Sequence, residues 1–448
     1  MQTAHPKVPG PAAEPPYREA YRPQFHFTAR QNWLNDPNGL VYFDGEYHLF
    51  YQHNPGGIQW GNMSWGHAVS KNLVNWEELP VALVPDATGT IFSGSAAVDS
   101  ANTTGLNAPL VALYTAAGKP FTQCLAFSKD RGRTWTKYSG NPVLGHIAGE
   151  NRDPKILWHA PSHQWVMALY LDGDEFGLYG SPNLKSWKEL SRLHLPGSTE
   201  CPELFEIAVR GGPHKWIFHG GNLRYLIGSF DGRVFTPEHG PFIGDYGANF
   251  YASQTYNNAP DGRRIQIGWM NGTGPYPGMP FNQQMSFPCD LWLVQTHDGL
   301  MLTRWPVKEI NTLHKDCCLW SNLTVGDYYP LTKLRGGLYD IHAFFEPSNG
   351  SVFGLQIGSE EIVLDTAKKV ITCLGKVAPL AMRDGRVDLR VLADRCSVEV
   401  FAQGGLVSMT SYLPVSDIPP SDRGVRVFSR TGSVLVSKIE AYELKSAW

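Results

Sequence analysis

Three short stretches place an acid in related surroundings: Asp36 in "NWLNDPNG", Asp153 in "NRDPKILW" and Glu200 in "TECPELF". Asp36 and Asp153 each stand directly before a proline, in Asn- and Gly-containing company that shapes turns, because an Asx side chain bonds its own backbone and Gly takes φ > 0. A turn role accounts for these two but poorly for Glu200, since Glu is a weak turn former. Converging carboxylates suit either divalent-metal binding or glycosyl transfer. Metal sites add further acids or histidines at tight spacing, and the chain contains no D-x-D-x-D or H-E-x-x-H run, so neither a metal nor another cofactor is expected. Glycoside hydrolysis needs two carboxyls, one ionised as nucleophile or base and one protonated to donate to the leaving oxygen. That chemistry uses both kinds of acid.

Such use requires elements that bring the acids together. Strand signals dominate: short β-branched and aromatic runs broken by Gly, Pro, Asn and Asp, with hardly any helical period. The segments "SKNLVNWEEL" (70–79), "SKDRGRTWTKY" (128–138), "SPNLKSWKEL" (181–190) and "SFDGRVFTPE" (229–238) each begin with Ser, make a polar turn and close on an aromatic that starts a strand. They recur roughly every 50 residues, which fits one four-stranded propeller blade per repeat; an ordinary Greek-key sandwich is the rival reading. "NFYASQTYNNAPDGRRIQIGWMNG" (249–272) supplies a fifth unit. In a propeller the innermost strands line the central channel, and the first, third and fourth units open on Asp36, Asp153 and Glu200. The expectation is an all-β chain with a Pro/Ala-rich extension over 1–21, a five-bladed β-propeller catalytic domain over 22–300, a linker with a short helix over 301–319, and an antiparallel β-sandwich over 320–448.

The gross composition narrows the partners. With 38 Lys+Arg against 41 Asp+Glu the formal charge is −3, and no basic stripe interleaved with aromatics appears, so nucleic acid is not expected. No apolar run approaches the roughly 18–20 residues that cross a bilayer, so no membrane partner is expected. The first residues lack the apolar core of a secretory leader, which leaves a cytoplasmic protein or a secreted one after leader removal. The seven cysteines are odd in number and scattered, with no C-x-x-C pair, as for buried small hydrophobes rather than a disulfide framework. The sandwich is expected to cover the propeller flank and to offer a surface for homo-oligomerisation.

The blocks "WLNDPNG", "FSGS" (92–95), "RDP" (152–154) and "ECPELF" (from Glu200), with "YQHNP" (51–55), "WGHAVSKNLVNW" (65–76), "DYGANFYASQT" (245–255) and "DRCSVEVF" (394–401), resemble the signature stretches of glycoside hydrolase family 32, the β-fructofuranosidases that include invertases, exo-inulinases and levanases. The resemblance runs from about residue 22 to the end with the order of the motifs kept. It implies a five-bladed propeller plus a β-sandwich, with Asp36 as nucleophile, Glu200 as general acid/base and Asp153 as transition-state stabiliser, Arg152 fixing the direction of the neighbouring carboxylate. It further implies a sugar cage of Asn35, Gln52, Trp60, Phe92, Ser93 and Trp269. Cys201 is read as a small packed neighbour. The implied activity is retaining, exo-acting hydrolysis of terminal β-D-fructofuranosyl units in sucrose, fructo-oligosaccharides, inulin or levan. The alternatives are a fructosyltransferase sharing the covalent intermediate, an inverting propeller glycosidase, and a non-catalytic fructan-binding lectin. Departures from the pattern fall at Cys289, where many relatives carry Arg, and at Ala248–Asn249, where some exo-inulinases carry Lys-Asp; both are expected near the fifth unit, whose loops help shape the pocket mouth.

Overall fold

The computed structural model describes residues 17–274, 276–415, 419 and 422–448; the first sixteen residues of the expected 1–21 extension lie outside the described residues. The repeated Ser-containing segments are the outer turns of successive sheets. In the first, Ser70 Oγ accepts from Asn72 N, Asn72 Oδ1 accepts from Val74 N and Asn75 N, and the Trp76 indole donates to Leu73 O. Ser181, Asn183 and Trp187 repeat the arrangement, and Ser128, Asp130 and Trp135 make a close variant. Each Asx side chain thus satisfies backbone donors that the turn would otherwise leave unpaired, and each Trp anchors the turn to the sheet.

Among the described residues, five antiparallel sheets follow one another along the chain. Their first strands are Asn32–Phe43, Thr90–Val98, Arg152–His159, Glu203–Ala208 and Tyr251–Thr255, here sheets I to V. Apolar clusters join neighbours in turn. Phe50 and Trp65 of sheet I meet Ile91 and Tyr114 of sheet II, and Leu113 of II meets Ile156 and Met167 of III. Phe176 of III meets Phe218 of IV, Ile227 of IV meets Leu291 of V, and Ile265 of V meets Leu40 of I. The ring is closed by hydrogen bonding as well: Phe281–Asn282, inside the fifth unit, pairs in parallel with Asn32 and Trp33. A sheet buried on both faces by its neighbours reads as the near-continuous apolar runs seen in these strands. This is a propeller, and the Greek-key alternative is discarded.

Two six-stranded sheets enclosing one apolar core form the C-terminal sandwich. Between propeller and sandwich the short helix expected within 301–319 is a 3-10 helix, Lys308–Leu313, flanked by strands Gly299–Pro306 and His314–Val325. "LTRWP" alternates and pairs within sheet V, so its period is that of a strand. Residues ahead of the first strand lie between the two bodies. Gln24 N and Phe25 N donate to Asp394, and the buried His26 ring bridges Asp394 (2.8 Å) and Glu399 (3.1 Å).

Candidate active site

Asp36 was expected in a turn. It lies instead within the twelve-residue strand Asn32–Phe43, inside the first of two breaks in register with Glu46–Asn54. Proline has no N–H to give the ladder, and the strand bulges over Asn35–Asp36, immediately before Pro37, which re-aims the acid. The same device recurs at Asp153–Pro154, where the register with Gln164–Asp172 slips. Glu200 and Cys201 precede Pro202 just ahead of strand Glu203–Ala208. Asp153, Glu200 and Cys201 hold φ of 63°, 54° and 42°, left-handed values that are uncommon for residues with a Cβ.

These geometries bring Asp36, Asp153 and Glu200 to one pocket of about 190 Å³. Asn35, Gln52, Trp60, Phe92, Ser93, Arg152 and Trp269 complete its wall, together with Tyr251. Every expected site residue therefore meets at this pocket. Each acid is held differently. Ser93 Oγ donates to Asp36 Oδ2 at 2.6 Å and Asn35 Nδ2 to Oδ1 at 3.1 Å, while the Trp33 indole fixes Asn35. Cys201 N donates to Asp153 Oδ2 at 3.0 Å, and the Cys201 thiol lies 3.5 Å from that oxygen and 3.7 Å from Asp36 Oδ2. Cys201 is thus a packed neighbour that also spaces two acids. Its own thiol is pushed well up by burial and by the surrounding carboxylates, so it stays protonated and is no nucleophile.

Both oxygens of Glu200 are bound. Arg152 Nη2 donates to Oε1 at 2.7 Å and Tyr251 OH to Oε2 at 2.6 Å. Arg152 therefore directs Glu200 and not, as expected, the adjoining Asp153. Its charge still reaches Asp153, whose carboxyl it helps to hold down. Tyr251, within "DYGANFYASQT", carries no sequence signal of this role. A tyrosine at a strand start looks like core until its partner is known. Burial is the main reason that Asp36 and Asp153 resist ionisation. Hydrogen bonds from Ser93 and Asn35 offset it at Asp36, and Arg152 does so at Asp153, which burial and the neighbouring acids still push up to about 7.

Around the acids, Trp60 is 58% exposed at the rim, its ring edge-on to Phe92, which in turn meets Phe121. Trp269 stands opposite, positioned by Gln283. Gln52 is buried, and its Nε2 has no hydrogen-bond partner among the described residues. A buried donor aimed at a cavity wall is a place for a ligand oxygen. No grouping of three or more His, Cys, Asp or Glu suited to a metal occurs among the described residues. No helix described is long and apolar enough to cross a membrane. Cys289 and Ala248–Asn249 lie in or beside sheet V, where they are expected, but none of them lines the pocket. Cys289 is buried in the core shared by sheets I and V, away from the pocket wall. Asn249 is tied to the sandwich through Tyr412 N, and Ala248 through Ser411. Both departures thus serve packing and the domain junction.

Comparison with known proteins gives a consistent result. Residues 26–306 match the description "Glycosyl hydrolases family 32 N-terminal domain" and residues 331–443 "Glycosyl hydrolases family 32 C terminal". A levanase of Bacillus subtilis (strain 168) is 39% identical over 96% of this chain and 72% of its own length. An extracellular exo-inulinase of Aspergillus awamori is 32% identical over 96% of both chains. Among solved structures, exo-inulinase from Aspergillus awamori superposes with a TM-score of 0.86 at 30% identity, covering 96% of this chain and 100% of that one. A fructofuranosidase from Schwanniomyces occidentalis complexed with fructosylnystose gives 0.88 at 27% identity, covering 97% and 99%.

Proposed function

The chain belongs to glycosyl hydrolase family 32, and from that premise we propose that it is an exo-acting, retaining β-fructosidase releasing terminal fructosyl units from sucrose and β-linked fructans. The observation that carries this reading is a single small pocket whose wall combines three differently held carboxylates with Trp60, Phe92 and Trp269. Aromatic faces pack on the apolar side of a sugar while amides and hydroxyls read its OH groups. Catalysis is assigned to the propeller, taken as 22–300, and the sandwich over 320–448 is assigned a covering role.

In this mechanism Asp36, oriented by Ser93 and Asn35, attacks the anomeric carbon, and the bond to the leaving oxygen breaks as Glu200 donates its proton. Arg152 supplies the counter-charge to the carboxylate that remains on Glu200. That carboxylate then takes a proton from water, which displaces Asp36 and yields fructose with retained configuration. Asp153, beside the forming bond, hydrogen-bonds the ring hydroxyls as positive charge develops on the sugar. A lectin would have no use for three crowded acids, two of which, Asp36 and Asp153, are kept by burial from ionising readily.

The test is the product profile from sucrose, inulin and levan, set beside Asp36→Ala. Free fructose from the parent and none from the variant is the expected result. Oligosaccharides that lengthen with sucrose concentration would move the assignment to transfer, and no turnover of any fructoside would overturn it.

A further inference from the structure

The inner strands of sheets II, III and V run from the acid-bearing pocket at one end to a second, separate cavity of about 280 Å³ at the other, larger than that pocket; the opening residues of sheet IV's inner strand, Glu203 to Glu206, line the same cavity. Val98 ends the inner strand of sheet II, Trp158 stands near the end of that of sheet III, and Asn258 follows that of sheet V. From Asp153 to Trp158 the strand advances about 16 Å. Between the two mouths the axis is blocked by a buried ion pair, Lys155 to Glu203 at 3.0 Å, with Thr255 also donating to Glu203. The far cavity is not a continuation of the active site.

Its chemistry is specific. Trp158 is 40% exposed and is braced edge-on by the buried Trp165, with ring centroids 5.3 Å apart. Trp216 joins the same wall. A tryptophan held rigid with a face in solvent offers stacking area at little entropic cost. Arg264 is fixed by Glu206 O at 2.9 Å, and the Glu206 carboxylate is half-exposed beside it. Asn257 spends its Nδ2 on Ala96 O and Ile156 O, which leaves its Oδ1 as an acceptor on the cavity side. One carboxylate and one guanidinium leave the wall near electroneutral, since Glu203 deeper in is matched by Lys155. Such a wall suits neither a phosphate nor a bare cation. It suits a neutral, hydroxyl-rich ring with one apolar face.

We infer that the far mouth of the propeller is a second carbohydrate site, which holds a sugar unit of a fructan chain remote from the acids. The choice of fructan rests on the proposed function. A polymer held there stays near the enzyme while its ends are trimmed, so effective concentration rises without a new catalytic contact.

The experiment uses the full chain. In the Asp36→Ala background, calorimetric titration with a short purified fructo-oligosaccharide is expected to give two sites per chain, falling to one when Trp158→Ala or Glu206→Arg is added. In the active enzyme, Trp158→Ala is expected to raise KM for long fructan roughly threefold to tenfold, the loss of one stacked aromatic, with kcat unchanged and sucrose kinetics intact. Intact sucrose kinetics also establish that the variants fold. A single site in the parent, a second site that survives both substitutions, or equal effects on sucrose and polymer would overturn the inference. Failure of the proposed function would instead show as absent fructose release by the parent enzyme.

Discussion

Ser93→Ala isolates the environment of the proposed nucleophile. Burial, aided by the charge of Glu200, raises Asp36 above the ordinary carboxylate range, and the 2.6 Å bond from Ser93 is the principal influence restraining that rise. A hydrogen bond to a charged group contributes about 1.5–3 kcal/mol, and one pH unit corresponds to about 1.4 kcal/mol. The bond favours the ionised carboxylate, so its loss makes Asp36 hold its proton to higher pH. The acidic limb of kcat/KM for fructose release should therefore move up by about one to two pH units. At a pH on the acidic limb of the parent, the variant should lose about tenfold or more, with most of the loss recovered at higher pH. Because Asp153, pushed up to about 7, lies beside Asp36, the limb belongs to the pair and only the shift between parent and variant is interpretable. The same shift should survive in an Asp153→Asn background. A variant with a lowered plateau but an unmoved acidic limb would refute the reasoning, since Ser93 would then act through packing alone.

Three further outcomes are expected. Tyr251→Phe, which strips a 2.6 Å bond from Glu200, should lower kcat on sucrose about tenfold and much less on an aryl fructoside whose leaving group needs little protonation; equal losses on both would contradict an acid-positioning role. His26, buried between Asp394 and Glu399, is raised to about 9, so its contribution to stability is fully present below its unfolded value near 6.5 and is lost as pH rises through about 9; Tm by scanning fluorimetry should fall across that window and fall less steeply in His26→Gln. Gly94→Ala would put a Cβ 2.0 Å from Leu113 O on the neighbouring strand, beside the bulge that carries Ser93, and should cost about 1–3 kcal/mol in chemical denaturation together with activity; an unchanged midpoint would show that the bulge yields without cost.

The sequence carried the propeller in its outer turns, because the Ser-Asx-Trp arrangement is local and each hydrogen bond in it spans only two or three residues. It carried the acids because they recur at the openings of successive units, two of them directly before a proline. What it misassigned is informative. "NDPNG" reads as a turn by composition, yet strand pairing on one side and the Phe281–Asn282 segment on the other keep it in a bulged strand. Arg152 stands beside Asp153 in sequence, whereas its guanidinium is hydrogen-bonded to Glu200, 48 positions away. Cys289, Ala248 and Asn249 lie in or beside the fifth sheet, as their place in the chain implies, yet their contacts are set by the sandwich and the closing sheet and not by the pocket. Contacts between distant segments leave no local trace in composition.

The same distinction explains how strained acids are kept in place. Asp153 and Glu200 both sit on left-handed backbone, which for non-glycine residues costs of order 1–3 kcal/mol each and persists only where surroundings over-determine it. Two residues beyond Asp153 lies Lys155, and three beyond Glu200 lies Glu203, both buried and paired at 3.0 Å. Glu203 also accepts from Thr255 N and Oγ1 on the inner strand of sheet V, which starts at Tyr251, and lies 3.3 Å from His219. The acid of sheet III, the acid of sheet IV and the tyrosine that holds it from sheet V are therefore tied together one layer below the pocket. A buried ion pair is weak support for stability, but removing one partner leaves a charge stranded and costs about 3–5 kcal/mol. Its consequence here is positional: a strand cannot relax its bulge without pulling a buried charge off its partner, so the reactive layer inherits its geometry from a layer that performs no chemistry.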